Sequence, residues 1–165
     1  MKKIVQTLKS LSVSLTWKMF RALVSRPLLI LPTSWATVQS ILYSEKYFDE
    51  AHGGRGVANA YRHAAWNLLI AKNASFYTSP EKAIAWAKFI TDMHEECFPN
   101  EPFDNLMDLQ NNRIGREIFE ELNAHSKKST ADFMKILFEK TEEAVGLQEV
   151  SQIADFPNVL VFYQE

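Results

Sequence analysis

Apolar side chains recur at steps of three and four residues along most of the chain, and this period constrains its fold most strongly. A helix turns once in about 3.6 residues, so such spacing gathers apolar residues on one side of a helix. Prolines and polar caps divide the pattern into segments. We predict six helices, at about residues 3–25, 34–48, 56–72, 80–97, 102–123 and 130–146.

Several helix ends follow from single residues. Ser79, Pro80 and Glu81 combine a cap, a proline at the first helical position and an early acid, which is a strong helix start. Gly146 is typical of a helix end, so we predict that the sixth helix closes there. Between Pro27 and Pro32 we predict a buried, extended link, and residues 159–163 favour an isolated strand packed on the helices.

The composition fits one all-α domain, a bundle of about six helices with a short extended C-terminal segment. The chain has 165 residues, 47% of them apolar, and only 5 glycines and 6 prolines, fewer than an all-β fold would need for its turns. We predict a single helical domain over residues 1–165, with a basic amphipathic helix at 1–26 and a helical body at 27–165. Cys97 stands alone, which excludes an intrachain disulfide and a zinc site built on several thiolates.

Charge is unevenly distributed. Residues 1–44 contain six basic residues and no acid, whereas the remainder has a net charge of −8. This asymmetry predicts an anionic partner for the basic helix, such as a membrane surface, or else a basic helix packed on the acidic body. No apolar window is long enough to span a membrane and no nucleic-acid-binding motif occurs. We therefore expect a cytoplasmic protein, peripheral to the inner membrane face, without a nucleic-acid partner.

Polar residues occupy helix positions at which a buried side would ordinarily be apolar. Asn59, His63 and Asn67 are spaced four residues apart on the third helix, so they share one side of it. The fourth helix carries His94 and Glu95 near its end. On the fifth helix one stripe is formed at steps of four, three and four residues by Asp104, Asp108, Asn111 and Gly115, and Asn112 and Arg116 flank it. Buried polar groups need partners, so we expect these three helices to turn them toward one shared site.

Two chemistries fit such a site, and a third interpretation has no chemistry. In the first, the candidate ligands of a divalent cation such as zinc are His63, His94 and Asp108, together with Glu95, and a bound water supports hydrolysis. In the second, histidine and carboxylate act as general acid and base without a metal. In the third, the cluster is a structural network in a non-catalytic interaction or membrane-surface protein.

The residue roles follow from these interpretations. We assign the acid–base or ligand role to His63, His94, Glu95 and Asp108. Groups that orient or bind a substrate would be Asn67, Asn111, Asn112 and Arg116. Whether the protein is an enzyme stays open at this point.

Three motifs in this chain resemble an uncharacterised family of bacterial helical domains. They are Asn-Ala-x-Arg-His-Ala-x-Trp-Asn at 59–67, His-Glu at 94–95 and Met-Asp-Leu-x-Asn-Asn-x-x-Gly-Arg at 107–116. Related domains are found in polymorphic-toxin-like proteins, in which enzymatic domains are common. The resemblance therefore implies a bacterial origin, but it carries no activity, cofactor or catalytic residue.

Overall fold

The computed structural model describes residues 17, 20, 21, 24–48, 54–98, 101–125 and 128–164. Five α-helices have defined ends: α1 Ile30–Tyr47, α2 Val57–Ala74, α3 Pro80–Cys97, α4 Pro102–His125 and α5 Thr130–Glu139. Short 3₁₀ helices lie at Pro27–Leu29, Lys140–Glu143 and Val150–Asp155. Trp17, Phe20, Arg21, Val24 and Ser25 are helical as well. The predicted all-α fold is thus confirmed, while most of the predicted N-terminal helix lies outside the described residues.

Two helix starts are capped by serine side chains, one of them as predicted. The Ser79 side chain accepts a hydrogen bond from the backbone N–H of Lys82, and Pro80 occupies the first turn of α3. Ser129 and Asp132 form a reciprocal capping box at the start of α5. The predicted limits of α2, α3 and α4 agree with the structure to within about two residues, which is ordinary for helix ends.

Helix α2 is the centre of the bundle, because it packs against α1, α3, α4 and α5. Tyr61, Leu68, Leu69 and Ile70 are fully buried on it. Gly115 of α4 lies directly against α2, and a Cβ atom there would stand 2.1 Å from the backbone oxygen of Ala64. Gly115 therefore permits the close approach of the two helices that bear most of the polar motifs.

Helix α1 packs with its small and polar side chains toward the bundle and its large apolar side chains outward, the reverse of the usual arrangement. Pro32, Ala36, Ser40 and Ser44 form its buried side, and tryptophan N–H groups from other helices bind its threonines. Trp86 Nε1 donates to Thr33 Oγ1 at 2.8 Å, and Trp66 Nε1 donates to Thr37 Oγ1 at 2.9 Å. The predicted buried link at 27–32 is wrong: it is a 3₁₀ turn continued by α1, and Leu28 and Leu31 on it are exposed.

The C-terminal region contains a small sheet. Strand β1, Val145–Leu147, pairs in parallel with β2, Val161–Tyr163, with Val145 opposite Val161. The strand-like tail was therefore predicted correctly, but it is not isolated. Gly146 does not end a helix either: α5 stops at Glu139, and Gly146 lies in β1, where a Cβ atom would meet the side chain of Gln164.

Candidate metal centre

Three buried residues bring ligand-type atoms together in the middle of the bundle. They are His63 on α2, Glu95 on α3 and Asp108 on α4, and one ligand atom from each lies within 4.8 Å of the others. His63 Nε2 is 3.3 Å from Asp108 Oδ1, and His63 Nδ1 is 3.7 Å from Glu95 Oε1. Three successive helices therefore contribute one titratable group each to the same point.

Burial sets the protonation of two of these groups. It lowers the pKa of His63 to about 3, with help from the positive charge of Arg62, so the imidazole is neutral near pH 7. Burial also raises the pKa of Glu95 to about 7, and the nearby Asp108 carboxylate adds to the effect. His63 Nδ1 is buried and makes no hydrogen bond. The neutral imidazole is the form of histidine that binds a metal, whereas the Glu95 carboxyl has to lose its proton before it can act as a ligand.

A row of buried amides lies behind Glu95. Asn112 Nδ2 donates to Glu95 Oε1 at 3.3 Å, and Asn67 Nδ2 donates to Asn112 Oδ1 at 2.6 Å. Asn67 Oδ1 in turn accepts from Arg116 Nη1 at 2.6 Å and from Thr91 Oγ1 at 3.1 Å. This series of hydrogen bonds fixes the Glu95 carboxyl, so Asn67, Asn112 and Arg116 are placed to orient it.

On the other side, Asp108 is held from α2. Asn59 Nδ2 donates to Asp108 Oδ1 at 3.1 Å, and the Arg62 guanidinium donates to Asn59 Oδ1. The carboxylate therefore accepts a hydrogen bond from an amide that is itself fixed by a cation. Such outer contacts orient ligand atoms and are part of a metal site's design.

Asn111 serves a different purpose from its neighbour. Its Nδ2 donates to the Val161 carbonyl at 2.8 Å, and its Oδ1 accepts from the Val161 N–H at 3.0 Å. Gln110 Nε2 similarly donates to the backbone oxygens of Phe156 and Val159, at 2.8 and 2.9 Å. These two side chains hold the C-terminal segment onto α4, and the Asn111 amide faces strand β2 rather than the three ligand-type residues.

His94 stands at the edge of the centre. It is not one of the three clustered residues; its ring makes an edge contact with Trp66 at 5.1 Å between centroids and a tilted contact with Phe98 at 5.0 Å. Burial, followed by the charge of Arg62, lowers its pKa. Of the four candidate ligands predicted from the sequence, His63, Glu95 and Asp108 therefore cluster, whereas His94 lies beside them.

Two cavities meet at Arg62, His63 and His94. The first has a volume of about 450 Å³ and is also lined by Thr37, Ser40, Ile41, Ser44 and Trp66. The second, of about 260 Å³, is also lined by Gly54, Arg55, Asn59, Asp104, Met107 and Asp108. His63 and Asp108 line the second cavity, so these two of the three clustered residues can be reached from it.

A family model described as a domain of unknown function, DUF6973, matches residues 20–145. The chain belongs to the DUF6973 family. No curated protein and no solved structure matches it. The matched span includes all three motifs from the sequence analysis, and therefore every residue of the cluster, but it stops before strand β2. Membership of DUF6973 supports an uncharacterised family and leaves the bacterial and toxin-like associations as predictions.

The sequence analysis of this DUF6973 member did not assign roles to Arg62, Asn59 or Thr91. Arg62 and Asn59 lie within the first motif, so the motif itself pointed to them. Thr91 precedes Glu95 by four residues on α3, and this spacing puts both on one side of the helix. Asn59 and Thr91 lie one turn before His63 and Glu95, and Arg62 is adjacent to His63, so the polar residues beside or one turn from each candidate include all three.

Proposed function

We propose that the protein is a hydrolase in which His63, Glu95 and Asp108 bind a divalent cation. The observation that carries the proposal is the meeting of three buried ligand-type atoms beside a cavity, with His63 Nδ1 left without a hydrogen bond. One ligand atom from each residue lies within 4.8 Å of the others, whereas ligand atoms around a tetrahedral ion at about 2.1 Å are roughly 3.4 Å apart, so the side chains would draw closer around a bound ion. The 3.3 and 3.7 Å contacts of His63 use its two different ring nitrogens, and one ion binds only one of them.

Ligand chemistry favours zinc or manganese. One imidazole with two carboxylates is a donor set that both ions accept, whereas Mg²⁺ and Ca²⁺ prefer oxygen ligands alone. Such a cation supplies a water of lowered pKa and polarises the carbonyl or phosphoryl oxygen of a substrate. His94, neutral near pH 7 and at the junction of the two cavities, is placed to accept or return a proton.

Among hydrolytic substrates we favour an anionic phosphodiester over a neutral ester. Arg62 lines both cavities, and Arg55 lines the second, where its guanidinium binds Asp104 at 2.6 Å. A guanidinium pairs well with phosphate oxygens and stabilises negative charge that develops during their transfer. The two cavities leave room for a substrate on either side of these groups.

Hydrolysis assays with and without metal test the proposal. We expect the EDTA-treated protein to be inactive toward bis-p-nitrophenyl phosphate and to regain activity with Zn²⁺ or Mn²⁺. Asp108→Asn should lose activity by roughly a hundredfold or more, because a ligand is replaced by a neutral amide of the same shape. Asp92→Asn, on the same helix as Glu95 but paired with Lys88, is the control and should retain activity.

Arg62→Gln tests the substrate class. We expect roughly a tenfold or larger loss with the phosphodiester and a smaller loss with p-nitrophenyl acetate, because only the first carries a charge for the guanidinium to bind. Equal losses with both compounds would contradict the preference for an anionic substrate. If neither ion restores any hydrolysis and Asp108→Asn is only less stable, the cluster is a structural network and the proposed function is wrong.

A further inference from the structure

Helix α1 presents an apolar stripe to the outside of the bundle. Leu31, Trp35, Val38 and Leu42 follow one another at steps of four, three and four residues, and all four are exposed. Leu31 is 79% exposed and Trp35 is 55% exposed. The inward side of the same helix carries alanine, serine and threonine, so the packing of α1 leaves its most apolar side uncovered.

The exposed surface continues toward the N-terminus. Leu28 is 71% exposed, and Val24, Phe20 and Trp17 are also exposed. Soluble surfaces rarely collect so many large apolar side chains on neighbouring stretches without a partner. We call Leu28, Leu31, Trp35, Val38 and Leu42 the outer stripe.

The charge around the outer stripe indicates the partner. Residues 1–44 hold six basic residues and no acid, and Arg21 and Arg26 directly precede the stripe. The rest of the chain, at −8, would be repelled by an anionic surface, so only this end of the molecule is complementary to one. Leucine and tryptophan beside arginine are the composition of helices that lie in the interface of a membrane with anionic lipids.

A second copy of the chain fits the outer stripe less well. Pairing two stripes would bring two segments of charge +6 together, and the stripe's neighbours offer no acid before Glu45 to compensate. Like charges across an interface weaken association. We therefore propose that the outer stripe docks the protein on an anionic lipid bilayer, with α1 lying along its surface. No helix in the described ranges is long and apolar enough to cross a membrane, and docking along the surface does not require one.

Vesicle co-sedimentation of the full chain tests the proposal. We expect binding to phosphatidylcholine vesicles that contain phosphatidylglycerol, weaker binding to phosphatidylcholine alone, and loss of binding as salt rises. Leu31→Ser/Trp35→Ser should weaken binding by at least about tenfold, because two apolar contacts with the bilayer are removed. Phe76→Ser/Tyr77→Ser is the matched control, since Phe76 is 76% and Tyr77 61% exposed outside the stripe, and should bind like the parent.

A second variant guards against misfolding. Leu28→Ser/Leu31→Ser changes still more exposed side chains and carries the same prediction, with thermal melting of every variant as the folding check. The proposal is overturned if the folded parent does not bind anionic vesicles, or if both stripe variants bind them like the parent. It is also overturned if sedimentation shows a dimer that the stripe variants dissociate while vesicle binding is absent.

Discussion

The Glu95 carboxyl shows how one residue's surroundings set its chemistry. Burial and the Asp108 carboxylate raise its pKa to about 7, against an ordinary value of 4.5, while the Asn112 hydrogen bond opposes the rise. A cation in contact with Glu95 and Asp108 would remove the cost of bringing two carboxylates together. Two buried carboxyl groups this close together are therefore stabilised by a positive charge placed between them.

The raised pKa of Glu95 predicts a pH-dependent stability in EDTA. The pKa of Glu95 is higher in the folded protein than in the unfolded chain. Its contribution to the free energy of unfolding is therefore fully present below about pH 4.5 and is lost as pH rises through 7. Glutamine does not titrate, so the stability of Glu95→Gln relative to the parent should increase from pH 5 to pH 8. His63 and Asp108, which face Glu95, are present in both proteins, so their own contributions to the pH dependence of stability largely cancel in the comparison. Urea unfolding at several pH values measures it, and a pH-independent difference would contradict the assignment.

Adjacent residues explain why the sequence alone could not decide whether His94 or Glu95 joins the cluster. His94 and Glu95 are both chemically suitable, but neighbouring positions on a helix point about 100° apart, so only one can face His63. The rotation of α3 about its axis decides between them, and that rotation depends on how Trp86, Ile90 and Met93 pack into the core. The sequence predicted the pair, and tertiary packing brings Glu95 to the cluster.

At the scale of elements, two neighbouring asparagines of α4 bind different parts of the molecule. Asn112 binds Glu95, whereas Asn111 binds both backbone groups of Val161 in β2. The polar stripe on α4 was evident in the sequence. Its division between the cluster and a strand was not, because the path of the chain after α5 places β2 against α4 and no local pattern encodes that path.

This division predicts opposite effects for the same substitution. Asn111→Ala should destabilise the protein by about 2 to 3 kcal/mol, since it leaves a buried N–H and C=O without partners, and should leave Zn²⁺ affinity nearly unchanged. Asn112→Ala should weaken Zn²⁺ affinity by roughly ten- to a hundredfold through loss of the Glu95 contact. Denaturant unfolding and metal titration of both variants measure the two effects. Equal effects on metal affinity would contradict the separation.

The contact between α2 and α4 depends on Gly115. A Cβ atom at this position would overlap the backbone of Ala64, which cannot move aside as a flexible side chain could, so the two helices would have to separate. We expect Gly115→Ala to cost about 3 kcal/mol or more in the free energy of unfolding. Gly56→Ala is the matched control, because nothing lies within 4 Å of its added Cβ, and it should cost less than about 1 kcal/mol. Similar thermal shifts for both would show that the helices are less tightly packed than described.

At the scale of the whole molecule, local rules predicted the helices and failed where distant parts of the chain meet. A cap and prolines predicted the starts of α3 and α4, and the apolar period predicted α2. The extended link at 27–32 was wrong because an apolar run was assumed to be buried, whereas Leu28 and Leu31 face outward. Gly146 was assigned to a helix end because a glycine's use for close packing against Gln164 cannot be distinguished by sequence from its use as a cap.

Helix α1 contributes residues both to the cavity beside the proposed site and to the outer stripe. Ile41 lines the larger cavity and is itself partly exposed beside the outer stripe, while Thr37 and Ser40 line the same cavity from the buried side. The helix proposed to dock on lipid is therefore also a wall of the proposed site. The two proposals are independent all the same, since metal binding uses α2, α3 and α4, and docking uses the outward side of α1.

Calorimetric titration of the EDTA-treated full chain with Zn²⁺, repeated with Mn²⁺, tests the central claim most directly. The account predicts one equivalent of cation bound per chain, lost or weakened by at least about a hundredfold in Asp108→Asn and Glu95→Gln and retained in Asp92→Asn. Absence of binding by the folded parent, or unchanged binding by Asp108→Asn, would contradict it.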